Sequence, residues 1–246
     1  MAEIIRSHDA FYLEENRYEN AKESFKFLGR IMQRKRQSIC GGTNRTLSIS
    51  DWGCANGEFP YHLRKVFPED RIVGFELLPE LLEKARQEVK DVEFVLASIL
   101  ERDSSAAAQF DLTCANGILS IFDAFELVFE NLIYWTKPGG AIYIDGLFNN
   151  YPIDVNIKYN RSEDYGSGVL ESGWNIFSKK SIADYLGRHT RVSKHDFHDF
   201  EIPIDLEKKP QDLVRSWTEK RLDGKRYITN GLSLIQPQSV LEIHIK

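Results

Sequence analysis

The residues best placed to do chemistry are acids set around a loop of small side chains. The stretch Ser48-Ile49-Ser50-Asp51-Trp52-Gly53-Cys54-Ala55-Asn56-Gly57-Glu58-Phe59 reads as a strand that ends in Asp51, bends sharply and enters a helix. Nineteen residues beyond Gly57, a second strand-like run, Arg71–Phe75, ends in Glu76. An acid at that remove from a glycine-rich turn is how open α/β sheets hold the ribose hydroxyls of an adenosine-containing ligand. The loop is poorly suited to phosphate. In the dinucleotide fingerprint three glycines bring a helix N-terminus up to a pyrophosphate. Here Gly53 fits the first position, but Ala55 replaces the second and Glu58 the third. A carboxylate at the helix start repels a pyrophosphate, and Asp51 adds to the repulsion. The pattern suits a ligand that carries positive charge. Alanine at 55 still permits close approach, although it demands a negative φ more strongly than glycine does.

The elements that must position these acids alternate. Residues 9–36 read as a helix with Phe11, Phe25, Leu28 and Met32 among its apolar positions, ended by Gly41-Gly42. Strands are expected at Thr46–Trp52, Arg71–Phe75, Val92–Leu96, Phe110–Ala115 and Ala141–Gly146, and helices at Glu58–Val66, Pro79–Val89 and 122–135. The turn Lys137-Pro138-Gly139-Gly140 precedes the fifth strand. Such alternation with short connections predicts an α/β fold, a mostly parallel sheet with helices on both faces. The C-terminal part differs. A helix capped by Ser178 runs to His189, strands follow at Val192–Ile202 and Ser239–Ile245, and two irregular stretches remain, Leu147–Phe177 and Pro203–Pro237. Long irregular segments of this kind, rich in Trp, Tyr and Asn, read as ordered covers over a site.

S-adenosylmethionine (SAM) is a ligand with a sulfonium, an ammonium and an adenosine but no phosphate. At these residues the chain resembles the class I SAM-dependent methyltransferases. Asp51, Gly53, Ala55 and Gly57 match the family's first motif, with Ala55 departing at the middle glycine, and Glu76 matches the ribose-binding acid. Val92–Ser98 is similar to the third strand, with Ser98 at the adenine edge, and Phe110–Asn116 to the fourth strand, which runs into the reaction mouth. The Lys137–Gly140 turn and the terminal strand pair complete the likeness. The resemblance implies a single Rossmann-like class I methyltransferase fold with a seven-stranded sheet. It divides into an N-terminal helical lid (1–43), a cofactor core (44–147) and two acceptor-covering insertions (148–177 and 203–238). SAM is the implied cofactor, held by Asp51, Gly53, Ala55, Gly57, Glu76, Leu77, Ser98, Ile99 and Asn116.

An oxygen acceptor usually needs a general base. Asp145 and Asp154, which flank the start of the first irregular stretch, and His8 are the candidates, and either aspartate could equally cap a turn. His195 and His198 fall on opposite faces of one strand, which argues against a metal site there, and none is expected. The second cover carries Lys208, Lys209, Arg215, Lys220, Arg221, Lys225 and Arg226, read first as a solvated helix and second as a receptor for a phosphorylated acceptor. The net charge of −5, the lack of an Asn/Asp-Pro-Pro-aromatic run after the fourth strand and the lack of a Pro-Cys pair argue against nucleic acid. Three scattered cysteines, no signal-peptide pattern and no membrane span fit a soluble cytoplasmic protein. The phrases Gly146–Asn149, Ile153–Val155, Gly173–Phe177, Asp223–Arg226 and Asn230–Leu232 resemble small bacterial methyltransferases of surface-polysaccharide biosynthesis. That resemblance implies O-methylation of a sugar hydroxyl, free or carrier-linked. The alternatives are O- or N-methylation of a natural-product-like small molecule, a SAM-binding protein without catalysis, and an NAD-dependent enzyme.

Overall fold

A computed structural model describes residues 7–102, 107–168, 170–212, 214–232, 235 and 238–246. Residues 1–6 of the expected lid, and Pro237 at the end of the second irregular stretch, lie outside the described residues. Five strands and four helices build the first half: α1 (Glu23–Cys40), β1 (Ser48–Trp52), α2 (Glu58–Val66), β2 (Arg71–Glu76), α3 (Pro79–Glu88), β3 (Glu93–Leu96), β4 (Phe110–Asn116), α4 (Glu126–Trp135) and β5 (Thr136–Leu147). The second half holds β6 (Lys158–Tyr159), β7 (Glu171–Ser172), α5 (Lys179–Arg188), β8 (Val192–Phe200), β9 (Trp217–Lys220), β10 (Arg226–Thr229) and β11 (Gln238–Ile245). The main sheet has seven strands in the order β3-β2-β1-β4-β5-β11-β8. β11 runs antiparallel to both β5 and β8, and the other ladders are parallel.

Each face of the sheet has its own core. On one, Ile49, Leu112, Cys114 and Tyr143 pack under Leu28 and Met32 of α1. On the other, Ile142, Ile144 and Ala115 pack against Phe129 and Leu132 of α4, with Trp52 stacked between Phe75 and Trp135 at ring separations of 3.9 and 3.6 Å. Alternation along strands buried on both faces explains why these segments read as apolar runs.

Three sequence expectations change. The helix expected over 9–36 divides into a 3-10 turn, Ser7–Leu13, and α1, with residues 14–22 outside any helix. The reason is tertiary: the Asn56 amide donates to the Tyr12 and Glu15 carbonyls at 2.9 and 3.3 Å, and Glu58 accepts from the Arg17 N–H at 2.7 Å. The Lys137–Gly140 turn is a bulge inside β5, since Phe110 pairs with Thr136 but Leu112 already pairs with Ala141. The basic stretch of the second cover is a hairpin, β9–β10, rather than a helix. It turns at Asp223-Gly224, where Gly224 holds φ +80°. The helix at 179–188 is capped as expected, with the Ser178 hydroxyl accepting from the Ser181 N–H at 2.9 Å.

No helix among the described residues is long and apolar enough to cross a membrane.

Candidate functional site

Parallel pairing brings the candidate acids to one end of the sheet. Asp51 lies opposite Gly74 of β2 and Cys114 of β4, and Asn116 lies opposite Asp145 of β5. Partners across a ladder share a face, as do residues two apart in a strand, so Asp51, Asn116 and Asp145 line the α1 side at the carboxyl ends of β1, β4 and β5. The side chains meet there: Asn116 Nδ2 donates to Asp51 Oδ1 at 3.0 Å. The other amide atom, Asn116 Oδ1, is buried and without a hydrogen-bond partner.

The loop after β1 is folded back by two bonds, from the Gly53 and Cys54 N–H groups to the Phe75 carbonyl at 2.8 and 2.9 Å. Gly53 and Gly57 hold φ at +75° and +86°, and a Cβ on Gly53 would collide with Ile118. Ala55 departs from its expected negative φ and sits at +49°. Its N–H reaches Glu76 Oε2 at 2.8 Å in that conformation, while Glu76 Oε1 accepts from the N–H groups of Leu77 and Leu78 at 2.8 and 2.9 Å. Glu76 thus fastens the first-motif loop to the end of β2. Leu77 beside it is exposed, an apolar side chain open to a ring, and Ile99 across the β3 end is buried. Ser98 is half-buried, and its hydroxyl accepts from the Leu100 N–H at 3.2 Å.

Electrostatics set this mouth apart. Burial lifts the Asp51 carboxyl well above its usual range, against the Asn116 hydrogen bond and with added repulsion from Glu76. Burial also raises Glu76, against its three backbone donors. Asp145 is pushed up to about 6 by burial, opposed by hydrogen bonds from Gln238 and Ser24. Among the described residues neither Asp51 nor Glu76 has an ion-pair partner. A pair of buried acids with no cation, next to an acceptor oxygen without a donor, fits a cofactor that brings an ammonium and a sulfonium of its own.

The three candidates for the base separate. Asp145 faces inward, with Gln238 Nε2 donating to both its oxygens at 2.9 and 3.0 Å. Asp154 takes the capping alternative: its carboxylate accepts from the Ser178 N–H and, at 2.7 Å, from the Ser181 hydroxyl at the start of α5. It borders an open groove of about 530 Å³ with Phe125, Tyr185 and Arg188, none of which belongs to the acid mouth. His8 is buried, and its Nδ1 lies 3.1 Å from Asp212 Oδ1 of the second cover. Sequence reasoning gave no role to Asp212 or Glu15, both of which pair with Arg215. Three cations of the expected phosphate receptor are engaged within the protein. Arg215 holds Glu15 and Asp212, Arg226 pairs with Asp205 at 2.7 Å, and Lys208 lies over the Trp217 ring.

Strand order, a first loop between two acids and a cation-seeking mouth define a class I SAM-dependent methyltransferase. The family described as a methyltransferase domain matches residues 44–168, about half of the chain, and the chain belongs to it. Among curated relatives, the trans-aconitate 2-methyltransferase of Azoarcus sp. strain BH72 is 30% identical over 97 residues, 39% of this chain and 38% of that protein. The malonyl-acyl-carrier-protein O-methyltransferase of Halalkalibacterium halodurans is 25% identical over 146 residues, 57% of this chain and 51% of that protein. The match therefore spans from over a third to about half the length of these relatives. Among solved structures, the plantazolicin methyltransferase BpumL in complex with S-adenosylhomocysteine (SAH) superposes with a TM-score of 0.58 at 14% identity, covering 98% of this chain and 91% of its own. That likeness speaks to the fold.

Proposed function

We propose that this chain transfers the methyl group of SAM to an oxygen of a small or carrier-linked acceptor. Asp51 and Asn116 take the ammonium end of the cofactor, the Gly53–Gly57 loop gives the close approach, Glu76 holds the ribose, and Leu77, Ser98 and Ile99 frame the adenine. The observation that carries the cofactor assignment is the unpartnered Asn116 Oδ1 beside an Asp51 that no lysine or arginine among the described residues neutralises. Methyl transfer from an already activated carbon rests largely on holding the acceptor in line with it. Residues 7–22 and the stretches 148–177 and 203–238 would supply that alignment as lid and covers.

The finer reading is a sugar hydroxyl, supported by the polysaccharide-type phrases in the covers and by the buried His8–Asp212 pair, since a hydroxyl must lose its proton. A carboxylate oxygen is the second reading, favoured by relatives named for trans-aconitate and a malonyl carrier thioester. Incubation with methyl-labelled SAM and a panel of sugar nucleotides, trans-aconitate and malonyl carrier thioester tests both. Alkali-stable label in a sugar supports the first, and alkali-labile label in an acid supports the second. Tight SAM binding with no label in any acceptor would count for a binding protein instead.

A further inference from the structure

We propose that the cleft between the N-terminal segment and the second cover binds a sugar ring of the acceptor. This rests on the sugar reading given above. The cleft has a volume of about 300 Å³, the size of a small-ligand site, and lies between residues 11–17 on one side and 209–215 on the other. Its floor is a fixed network. Arg215 pairs with Glu15 through Nη1 and with Asp212 Oδ2 through Nε at 3.0 Å, and both carboxylates are buried. The Asp212 N–H donates to the Lys209 carbonyl at 3.1 Å, which closes the far wall as a turn.

The near wall is tied to the cofactor loop. The Glu15 carbonyl accepts from Asn56 Nδ2 at 3.3 Å and from Lys84 Nζ at 2.8 Å, and the Arg17 N–H donates to Glu58 Oε1 at 2.7 Å. Only the backbone of residues 15–17 stands between the cleft and these first-motif side chains. Both walls therefore come from segments placed over the acceptor, and one of them is bonded directly to the loop assigned to SAM.

The lining selects the ligand. Three cations, Arg17, Lys209 and Arg215, stand against three carboxylates, Glu14, Glu15 and Asp212. The formal charges cancel, so an ion of either sign gains little there. What remains is a close alternation of donors and acceptors. Guanidinium, carboxylate and the side-chain amides of Asn16 and Gln211 are planar groups that present two polar atoms side by side. Adjacent hydroxyls of a sugar ring match that spacing, and each hydroxyl both donates and accepts. The half-buried Phe11 offers an apolar surface to the face of the ring. Among the described residues the Asn16, Lys209 and Gln211 side chains have no hydrogen-bond or ion-pair partner, so their polar atoms are available to a ligand.

The test uses the nitrogen-labelled full chain with SAH bound. Methyl glycosides of glucose, galactose, mannose and rhamnose are titrated in, with sodium pyrophosphate as the anion control, and the side-chain amide signals of Asn16 and Gln211 are followed. At least one glycoside should shift both signals saturably, and pyrophosphate should shift neither. Gln211→Ala and Asn16→Ala, both at exposed positions, should each weaken that glycoside about fivefold and leave SAH affinity unchanged. Silence at both amides with every glycoside overturns the proposal. So does a saturable shift with pyrophosphate alone, which would make the cleft an anion site. The acceptor panel separates this proposal from the reading beneath it. Label in a sugar with no glycoside at the cleft refutes the cleft and leaves the sugar reading standing. A glycoside held at the cleft while no sugar takes label refutes the sugar-acceptor reading, and the affinity of the cleft for sugar stands.

Discussion

Two groups of buried acids in this protein behave in opposite ways. At the carboxyl ends of the sheet, Asp51, Glu76 and Asp145 have carboxyls above their ordinary range, because burial outweighs their hydrogen bonds and, at Asp145, the pull of Lys22. Under the N-terminal segment, Glu15 is also buried, yet its carboxyl falls to about 2: burial pulls it up, but Lys22, Arg17 and Arg215 together pull it down further. The balance differs: at Glu15 the cations outweigh burial, and at the strand ends burial prevails. In the N-terminal segment the acid is a structural tie, already neutralised by the protein. On the proposed function the strand-end charge is left for a ligand to neutralise, and the ammonium and sulfonium of SAM would do that.

The contrast can be broken most forcefully at Arg215. Removing the cation from a buried pair usually costs 3–5 kcal/mol, so Arg215→Met should release residues 8–18 and the 209–215 stretch, seen as lost hydrogen-exchange protection there while β1 and β4 keep theirs. Unchanged protection would place the tie elsewhere. The lid pairing also carries its own pH signature. Glu15 is depressed, so its contribution is complete above 4.5 and is lost as pH falls towards 2.

Asp145 runs the other way. A raised carboxyl stabilises the fold most when protonated, so its contribution is complete below 3.8 and is lost as pH rises through about 6. Each pK unit is worth about 1.4 kcal/mol, which puts the loss at roughly 3 kcal/mol. Asp145→Asn cannot ionise. Urea unfolding at pH 4 and pH 7 should find the variant gaining stability relative to the wild type between the two values. A difference that does not change with pH would mean that Asp145 is not raised.

At the cofactor loop the effects are smaller. Glu76→Ala should weaken SAM binding by about 1.5–3 kcal/mol through loss of charge-assisted hydrogen bonds, and unaltered affinity by calorimetry would remove Glu76 from the ribose site. Ala55→Gly should stabilise the protein by about 0.5–1 kcal/mol, because Ala55 holds φ +49°. A lower melting temperature would show that the alanine methyl has a packing role.

Much of the strand-end site was legible in the sequence because its parts are local to the chain. Asp51, Gly53, Gly57 and Glu76 sit at the ends of adjacent strands, and a parallel sheet puts such ends together. The Ser178 cap was legible for the same reason. The lid was not. Residues 9–36 have helical periodicity, and only the grip of Asn56 and Glu58 on the backbone of residues 12–17 interrupts it. The Asp223-Gly224 pair did signal the β9–β10 hairpin, although the density of lysine and arginine around it reads as a charged helix. His8 and Asp212 meet only through the tertiary fold, and no spacing rule joins them.

The central claim is that the strand-end acids await a cationic ligand, and calorimetry of SAM and NAD binding to the wild type and to Asp51→Asn, each in two buffers of different ionisation enthalpy, tests it most directly. SAM should bind the wild type with release of protons, since a cation beside raised carboxyls drives their ionisation. Asp51→Asn should bind SAM at least tenfold more weakly and release fewer protons, and NAD should bind neither protein. NAD binding in place of SAM, or an Asp51→Asn variant with wild-type affinity and the same proton count, would contradict the account.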